Sequence, residues 1–176
     1  QSGSEYMELT RVDVKELIED LAQGYASAAA KKGIALATKI EGRPLAYTDP
    51  DKVEQVLVIL LDNAIRYTPV GGSVTLRVSD GERLTVSVTD TGCGIPEKDL
   101  AEVFERFYKV DKSRKEGGTG LGLSIAKQIL DKLGETIRVD SVEGRGASFS
   151  FTLKKYVRNI IALGPASPPI AVRWDQ

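Results

Sequence analysis

The chain has 176 residues, 41% of them hydrophobic and 28% charged, which fits one globular domain with a sizeable core. Its net charge of −1 argues against a nucleic-acid surface, and no hydrophobic run approaches the ~20 residues that span a bilayer. Histidine is absent, which excludes Ser-His-Asp or Cys-His catalysis and zinc–histidine sites within the chain. The single cysteine excludes an internal disulfide, and with no signal peptide at the start it predicts a reducing cytoplasm.

The first predicted helix follows residues 1–10, which read as a linker or a cloning remnant. Asp13 and Glu16 have the spacing of a capping box. A hydrophobic stripe at helical spacing comes next: Leu17, Ile18, Leu21, Tyr25 and Ala28. Residues 31–33, Lys-Lys-Gly, are typical of a helix C-terminus.

The second predicted helix follows two short extended segments, 34–40 and 45–48. Asp49 stands at the N-cap and Pro50 at the first helical position, an arrangement that favours a helix start. A long hydrophobic face at helical spacing predicts core burial: Val53, Val56, Leu57, Leu60, Leu61, Ala64 and Ile65. Residues 69–72, which include one proline and two glycines, end this segment.

The predicted sheet comes from segments in which hydrophobic and polar residues alternate. These segments are 74–78, 84–88, 137–139 and 149–153. Strands with one hydrophobic face indicate an antiparallel or mixed sheet that is wet on its other side. Helices with a single hydrophobic stripe would cover the dry face. The predicted fold class is therefore α/β (α+β), a two-layer sandwich.

A glycine-rich segment, residues 117–125 (GGTGLGLSI), precedes the third predicted helix. Gly118, Gly120 and Gly122 alternate, and a helix start behind such a backbone suits a phosphate group. Leu123 stands where a P-loop has its lysine and where a dinucleotide fingerprint has its third glycine. The segment therefore predicts a phosphate site of another kind.

The second helix carries polar residues beside its core face. At about 100° per residue, Ile59, Asn63, Arg66 and Tyr67 share one side. An asparagine oxygen suits Mg²⁺, an arginine reaches phosphate oxygens, and a tyrosine packs on an aromatic base. An ordinary solvated helix side would account for the same pattern equally well.

The segment 88–96 (VTDTGCGIP) places a carboxylate at the end of a half-buried strand. Asp90 there can accept a hydrogen bond from an exocyclic amine, with Ile95 as an apolar wall. Gly92 and Gly94 allow a tight turn. The plain alternative is an Asp-Thr-Gly turn of a β protein.

Aromatic residues in the segment 103–111 stand at i, i+3, i+4 spacing: Phe104, Phe107 and Tyr108. Such spacing most often reflects core packing. Here these residues would also anchor the hinge of residues 109–118, a charged, glycine-ended segment that we expect to be a mobile surface loop.

Taken in order, these signals resemble the catalytic, ATP-binding domain of bacterial sensor histidine kinases, in the GHKL superfamily. The matching segments are the N box (59–69), G1 box (90–96), F box (103–108), G2 box (118–123) and a final glycine-bearing hairpin (142–151). The resemblance covers about residues 11–155 and leaves 156–176 as a C-terminal extension of unknown role. It implies a mixed, largely antiparallel sheet backed by about three helices, with ATP bound beneath a flexible lid.

The resemblance also implies roles for individual residues. Asn63 would ligate Mg²⁺, Arg66 would contact phosphate, Tyr67 would pack near adenine or ribose, and Asp90 would accept the adenine amine. Gly92 and Gly94 would leave room for the base. Further residues would line the ATP site: Ile95, Phe107, Lys109, Gly118, Thr119, Gly120, Leu121, Gly122 and Leu123. Among these, Gly118, Gly120 and Gly122 would present backbone N–H groups to the phosphates.

Two departures from the family pattern bear on activity. Ile59 stands where the family commonly has asparagine, which puts efficient phosphoryl transfer in question. The family's phosphoacceptor histidine is missing, so it would lie on a separate dimerisation domain of the parent protein. The resemblance further implies a response regulator downstream, no nucleic-acid or membrane contact by this domain, and a monomer in isolation.

Three functions stay open at this level. The first is Mg²⁺-ATP-dependent phosphorylation of a histidine, for which positioning and charge neutralisation suffice chemically. The second is a nucleotide-binding regulatory module with weak transfer, which Ile59 favours. The third is a serine kinase of the anti-sigma-factor type. A gyrase- or chaperone-type ATPase is disfavoured because its glutamate base would occupy the position of Ile59.

Overall fold

The computed structural model describes residues 6–106, 108 and 120–158. In chain order the elements are β1 (Thr10–Asp13), α1 (Val14–Lys32), β2 (Ala35–Ile40), β3 (Leu45–Thr48), α2 (Pro50–Tyr67), β4 (Ser73–Ser79), β5 (Leu84–Asp90), a 3₁₀ turn (Glu97–Asp99), α3 (Gly122–Leu133), β6 (Ile137–Val142) and β7 (Gly146–Leu153). Within this part of the chain, no helix is both long and apolar enough to cross a bilayer.

The main sheet has five strands in the order β2-β4-β5-β7-β6. β2 runs parallel to β4, whereas the β4–β5, β5–β7 and β6–β7 pairs are antiparallel. β1 and β3 form a separate two-stranded antiparallel sheet. The expectation of a mixed, largely antiparallel sheet backed by three helices is confirmed.

The core lies between the three helices and one face of the main sheet. Alternate residues of β4, β5 and β7 are buried there: Val74, Leu76, Val86, Val88, Phe149 and Phe151. Their sequence neighbours Thr75, Ser87 and Ser148 are half-buried and lie on the opposite face. This alternation follows from the two-residue period of a strand and gives the predicted two-layer arrangement.

Helix α1 begins and ends as its sequence predicts. The Asp13 carboxylate accepts a hydrogen bond from the Glu16 N–H at 3.0 Å, and Gly33 ends the helix in the left-handed region. One detail of the predicted stripe is wrong, because Ala28 is exposed and Ala29 is buried. Over a helix this long, a stripe assigned from fixed steps drifts by a residue relative to the true contact face.

Helix α2 is capped by Asp49, whose carboxylate accepts hydrogen bonds from the N–H groups of Asp51 and Lys52 at 3.1 and 3.2 Å. Six of the seven predicted core residues are fully buried, and the seventh, Ile65, is half-buried. Its buried face makes α2 the central helix of the layer that covers the sheet.

Contacts at both ends extend beyond the residues 11–155 expected for the domain. Thr10 already belongs to β1, and its register partner in β3 is Thr48. After β7, the Tyr47 N–H donates to the Lys154 carbonyl at 2.8 Å, and the Tyr156 N–H donates to the Leu45 carbonyl at 2.9 Å. Residues 1–5 and 159–176 lie outside the described residues.

The F-box segment packs as expected but without an α-helix. Residues 101–106 form successive turns, in which the N–H of Glu105 donates to the Glu102 carbonyl at 2.9 Å. The Phe104 ring meets Phe149 edge-on, with centroids 6.1 Å apart. Phe107 lies outside the described residues, as do residues 109–119, which include the expected lid.

Thr48 offers a test of polar burial in this core. It is 1% exposed, and its hydroxyl has no hydrogen-bond partner in the described part of the chain. Thr48→Val should therefore raise the free energy of unfolding by about 1–2 kcal/mol, measured by urea denaturation. Thr68→Val is the matched control: the buried Thr68 hydroxyl donates to the Ala64 carbonyl at 2.6 Å, so this variant should lose stability. Loss of stability in both variants would contradict the prediction.

Candidate nucleotide-binding site

The loop after β5, residues 91–96, lies between the end of α2 and the β6–β7 turn. The Cys93 N–H approaches the Tyr67 carbonyl at 3.4 Å, and the Cys93 carbonyl accepts a hydrogen bond from the Gly144 N–H at 2.7 Å. Three segments far apart in sequence are thereby joined at one place.

Asp90 sits at this junction with its carboxylate held in a fixed orientation. The residue is 6% exposed, and its Oδ1 accepts hydrogen bonds from the N–H groups of Gly92 at 2.8 Å and Ala147 at 3.3 Å. Burial raises the pKa of Asp90 above its ordinary value, and the two N–H groups partly oppose that rise. A buried acceptor of fixed orientation suits recognition of an amine.

Gly92 and Gly94 are required by contacts within the protein itself. A Cβ at position 92 would stand 2.4 Å from the Tyr67 carbonyl oxygen. At position 94, where φ is +69°, it would stand 2.3 Å from the Val142 carbonyl oxygen. The expected reason for these glycines was room for the base, but protein backbone occupies the space next to them. Their contact with a base stays a prediction.

Gly94→Ala is expected to destabilise the domain much more than Gly144→Ala. Both glycines have positive φ, +69° and +81°, but a Cβ at Gly144 would meet nothing within 4 Å. Backbone strain should cost each variant about 1–3 kcal/mol. The collision with the Val142 carbonyl should add about 1–3 kcal/mol in Gly94→Ala alone. Urea unfolding measures the difference in the free energy of unfolding between the two variants. An equal decrease in both would show that the loop moves away from the Val142 carbonyl without an energetic penalty.

One side of α2 faces the start of α3. A Cβ on Gly122 would lie 3.3 Å from Cγ2 of Ile59, which is half-buried and also packs against the core. Asn63 follows one turn later and is half-buried, whereas Arg66 is exposed and Tyr67 is half-buried. Ile59 thus borders the glycine motif with a side chain that neither donates nor accepts hydrogen bonds.

Within the described residues, which omit 109–119, no side chain caps the N-terminus of α3. Leu121 occupies the N-cap position, and the helix starts at Gly122. The Ser124 hydroxyl donates to the Leu121 carbonyl at 2.8 Å and so does not cap an N–H group. N–H groups at an uncapped helix start favour an anion. Four residues predicted to line the ATP site near this helix start are half-buried: Gly120, Leu121, Gly122 and Leu123. Four other predicted residues lie outside the described residues: Phe107, Lys109, Gly118 and Thr119.

Lys32 supports the site in a way that the sequence pattern did not predict. The pattern associates Lys32 with the end of its own helix, α1. In the structure its Nζ donates to the carbonyls of Ile65 and Arg66, the latter at 2.8 Å, in the last turn of α2. Local sequence carries no signal for a lysine that binds the carbonyls of another helix.

The described residues contain no cluster of three acidic, cysteine or histidine side chains that could enclose a metal ion. Asn63 offers one amide oxygen as a protein ligand. One protein ligand fits Mg²⁺ in a nucleotide site, where phosphates and water commonly complete the coordination.

Comparison with known proteins decides the family. The family model described as "Histidine kinase-, DNA gyrase B-, and HSP90-like ATPase" matches residues 48–157. The chain belongs to this ATPase family. The match includes α2, the loop after β5, α3 and the β6–β7 hairpin, whereas α1 with Lys32 lies outside it.

Similar proteins within this ATPase family include sensor histidine kinases. WalK of Bacillus subtilis (strain 168) is 50% identical over 110 residues, which are 60% of this chain and 18% of that kinase. Full-length ShkA, solved in complex with AMPPNP, superposes with a TM-score of 0.77 at 31% identity and covers 87% of this chain and 32% of its own. ThkA in complex with the response regulator protein TrrA gives 0.74 at 25% identity, with 88% and 44% covered. The resemblance to the ATP-binding catalytic domain of histidine kinases is confirmed, and the chain spans less than half of each of these proteins.

Proposed function

We propose that this chain binds Mg²⁺-ATP and transfers the γ-phosphoryl group to a histidine on a separate dimerisation domain. The observation that carries the proposal is the buried Asp90 carboxylate, oriented by two backbone N–H groups at the junction of three segments. Membership in an ATPase family and the AMPPNP in the ShkA structure support adenine nucleotide as the ligand.

Each described group has a defined task in this proposal. Asp90 accepts the adenine amine, and Tyr67 packs beside the base or ribose. The N–H groups at the start of α3 bind phosphate oxygens, and Arg66 adds a positive charge. Asn63 would hold Mg²⁺, which supplies charge neutralisation of the phosphates when bound. Phosphoryl transfer depends mainly on such positioning and electrostatic stabilisation.

The phosphoacceptor must come from outside this chain, because the chain contains no histidine. A histidine-bearing dimerisation domain of the parent protein is the partner we propose. The ThkA–TrrA complex supports a response regulator as the subsequent acceptor. We place the domain in the cytoplasm, in agreement with its single free cysteine.

A second candidate is a nucleotide-binding module with weak transfer activity. Ile59 favours it, because an isoleucine borders the start of α3 where a polar group would help to position metal or phosphate. A serine kinase of the anti-sigma-factor type would differ in the residue that accepts the phosphoryl group. The histidine kinases among the relatives favour histidine.

Incubation with γ-labelled ATP and an isolated, histidine-bearing dimerisation domain tests the proposal. We expect label on the acceptor domain that is lost in acid and retained in base, as for phosphohistidine. The control is the same domain with its histidine replaced by glutamine, which should stay unlabelled. ATP binding without label transfer would favour the regulatory module, and acid-stable label would favour the serine kinase.

A further inference from the structure

Ser141 in β6 connects the β6–β7 turn to the loop after β5. Its hydroxyl accepts a hydrogen bond from the Ile95 N–H at 2.8 Å and donates one to the Gly146 carbonyl at 2.8 Å. One half-buried side chain thus satisfies a donor in the loop and an acceptor at the start of β7.

Within the described residues, two other hydrogen bonds join the hairpin to the end of β5 and to the loop after it. The Gly144 N–H donates to the Cys93 carbonyl at 2.7 Å, and the Ala147 N–H donates to Oδ1 of Asp90 at 3.3 Å. On the hairpin side both of these come from backbone groups, which most substitutions there leave in place. Within the described residues, the Ser141 hydroxyl is therefore the side-chain group that joins the hairpin to this loop by a hydrogen bond.

We propose that Ser141 is a positioning residue for recognition of the adenine base. This inference rests on the proposed function, in which Asp90 and Ile95 contact the base. Ile95 is 8% exposed, and its N–H is held in place by Ser141. Without the hydroxyl, the Ile95 N–H and the Gly146 carbonyl both lose a partner, and the loop shifts to satisfy them.

The position of Ser141 implies that it affects binding of the adenine base and not of the phosphates. One of its hydrogen bonds reaches the loop that follows Asp90, whereas the N–H groups proposed to bind phosphate belong to α3. Loss of the hydroxyl should therefore weaken adenosine and ATP by the same factor. A general loss of stability would also lower both apparent affinities by one factor, the folded fraction, so each affinity is corrected for that fraction before the comparison.

Calorimetry with adenosine and with Mg²⁺-ATP, on the full chain, tests the inference. Ser141→Ala should weaken both ligands about tenfold, because it removes the hydrogen bonds of the hydroxyl to the Ile95 N–H and the Gly146 carbonyl. Ser141→Thr retains a hydroxyl and should bind within about twofold of the unmodified chain. The matched control is Ser148→Ala, since the Ser148 hydroxyl bonds to Thr89 at 2.8 Å on the opposite face of the sheet. It should leave both affinities unchanged.

The possible results separate the role of Ser141 from the proposed function. Unchanged adenosine affinity in folded Ser141→Ala, or an equal loss in Ser148→Ala, would overturn the positioning role while leaving ATP binding intact. If the unmodified chain binds neither ligand, the proposed function itself fails. If Ser141→Ala does not fold, Ser141→Cys replaces it: its weak hydrogen bonding should still reduce both affinities several-fold, and unchanged affinities would overturn the inference.

Discussion

Asp90→Asn is expected to bind ATP about ten- to a hundredfold more weakly than the unmodified chain, because a hydrogen bond to a charged acceptor contributes roughly 1.5–3 kcal/mol. Asparagine has the same shape and keeps one oxygen for the N–H groups of Gly92 and Ala147. Its second group is an amide NH₂, which repels the adenine amine. Isothermal calorimetry measures the change. The unmodified chain should also bind GTP poorly, since guanine presents a carbonyl where adenine has its amine.

The design of this variant follows from the contacts of Asp90. Asp90→Ala would leave two buried backbone N–H groups without their acceptor, so lost stability would be confused with lost binding. Asp80→Asn is the control: Asp80 is an exposed carboxylate in the β4–β5 turn that pairs with Lys155. This variant should keep full affinity. Unchanged ATP affinity in folded Asp90→Asn would remove Asp90 from the site.

Ile59→Asn is expected to raise the rate of phosphoryl transfer to a supplied histidine domain by about 10²–10³, the range associated with one electrostatic group in a transition state. Ile59 lies one turn before Asn63 and faces Gly122 at the start of α3. A polar side chain there could help to position metal or phosphate. ATP affinity should stay nearly unchanged, because the group acts mainly on the transition state. Single-turnover transfer with labelled ATP measures the rate.

The Ile59→Asn experiment needs a correction for stability and a control variant. Ile59 also packs against the core, so the asparagine should cost stability, and the assay belongs well below the unfolding temperature of the variant. Ile59→Val shortens the side chain without adding a polar group and should leave the transfer rate unchanged. Equal rates in the unmodified chain and Ile59→Asn would show that Ile59 does not limit catalysis and that another residue performs the positioning.

Local sequence was sufficient for the parts of this fold that depend on local periodicity. The hydrophobic face of α2 and the alternation in β4, β5 and β7 predicted which residues are buried. The caps at Asp13 and Asp49 were predictable because each side chain bonds to N–H groups two or three residues away. The ordered glycine, asparagine and aspartate signals likewise predicted the family, which the match over residues 48–157 confirms.

Contacts between distant segments were decided only by the tertiary structure. β1 runs directly into the Asp13 cap of α1, and its pairing with β3 is what makes it a strand. Glycine is needed at position 94 because a side chain there would collide with the Val142 carbonyl. Lys32 donates a hydrogen bond to the last turn of α2, and Ser141 accepts one from the loop after β5. The hydrophobic pattern of a segment predicts which face of its helix or strand is buried, because burial follows the period of that element. The pattern does not predict which distant backbone group a residue contacts, since this depends on how the elements pack together.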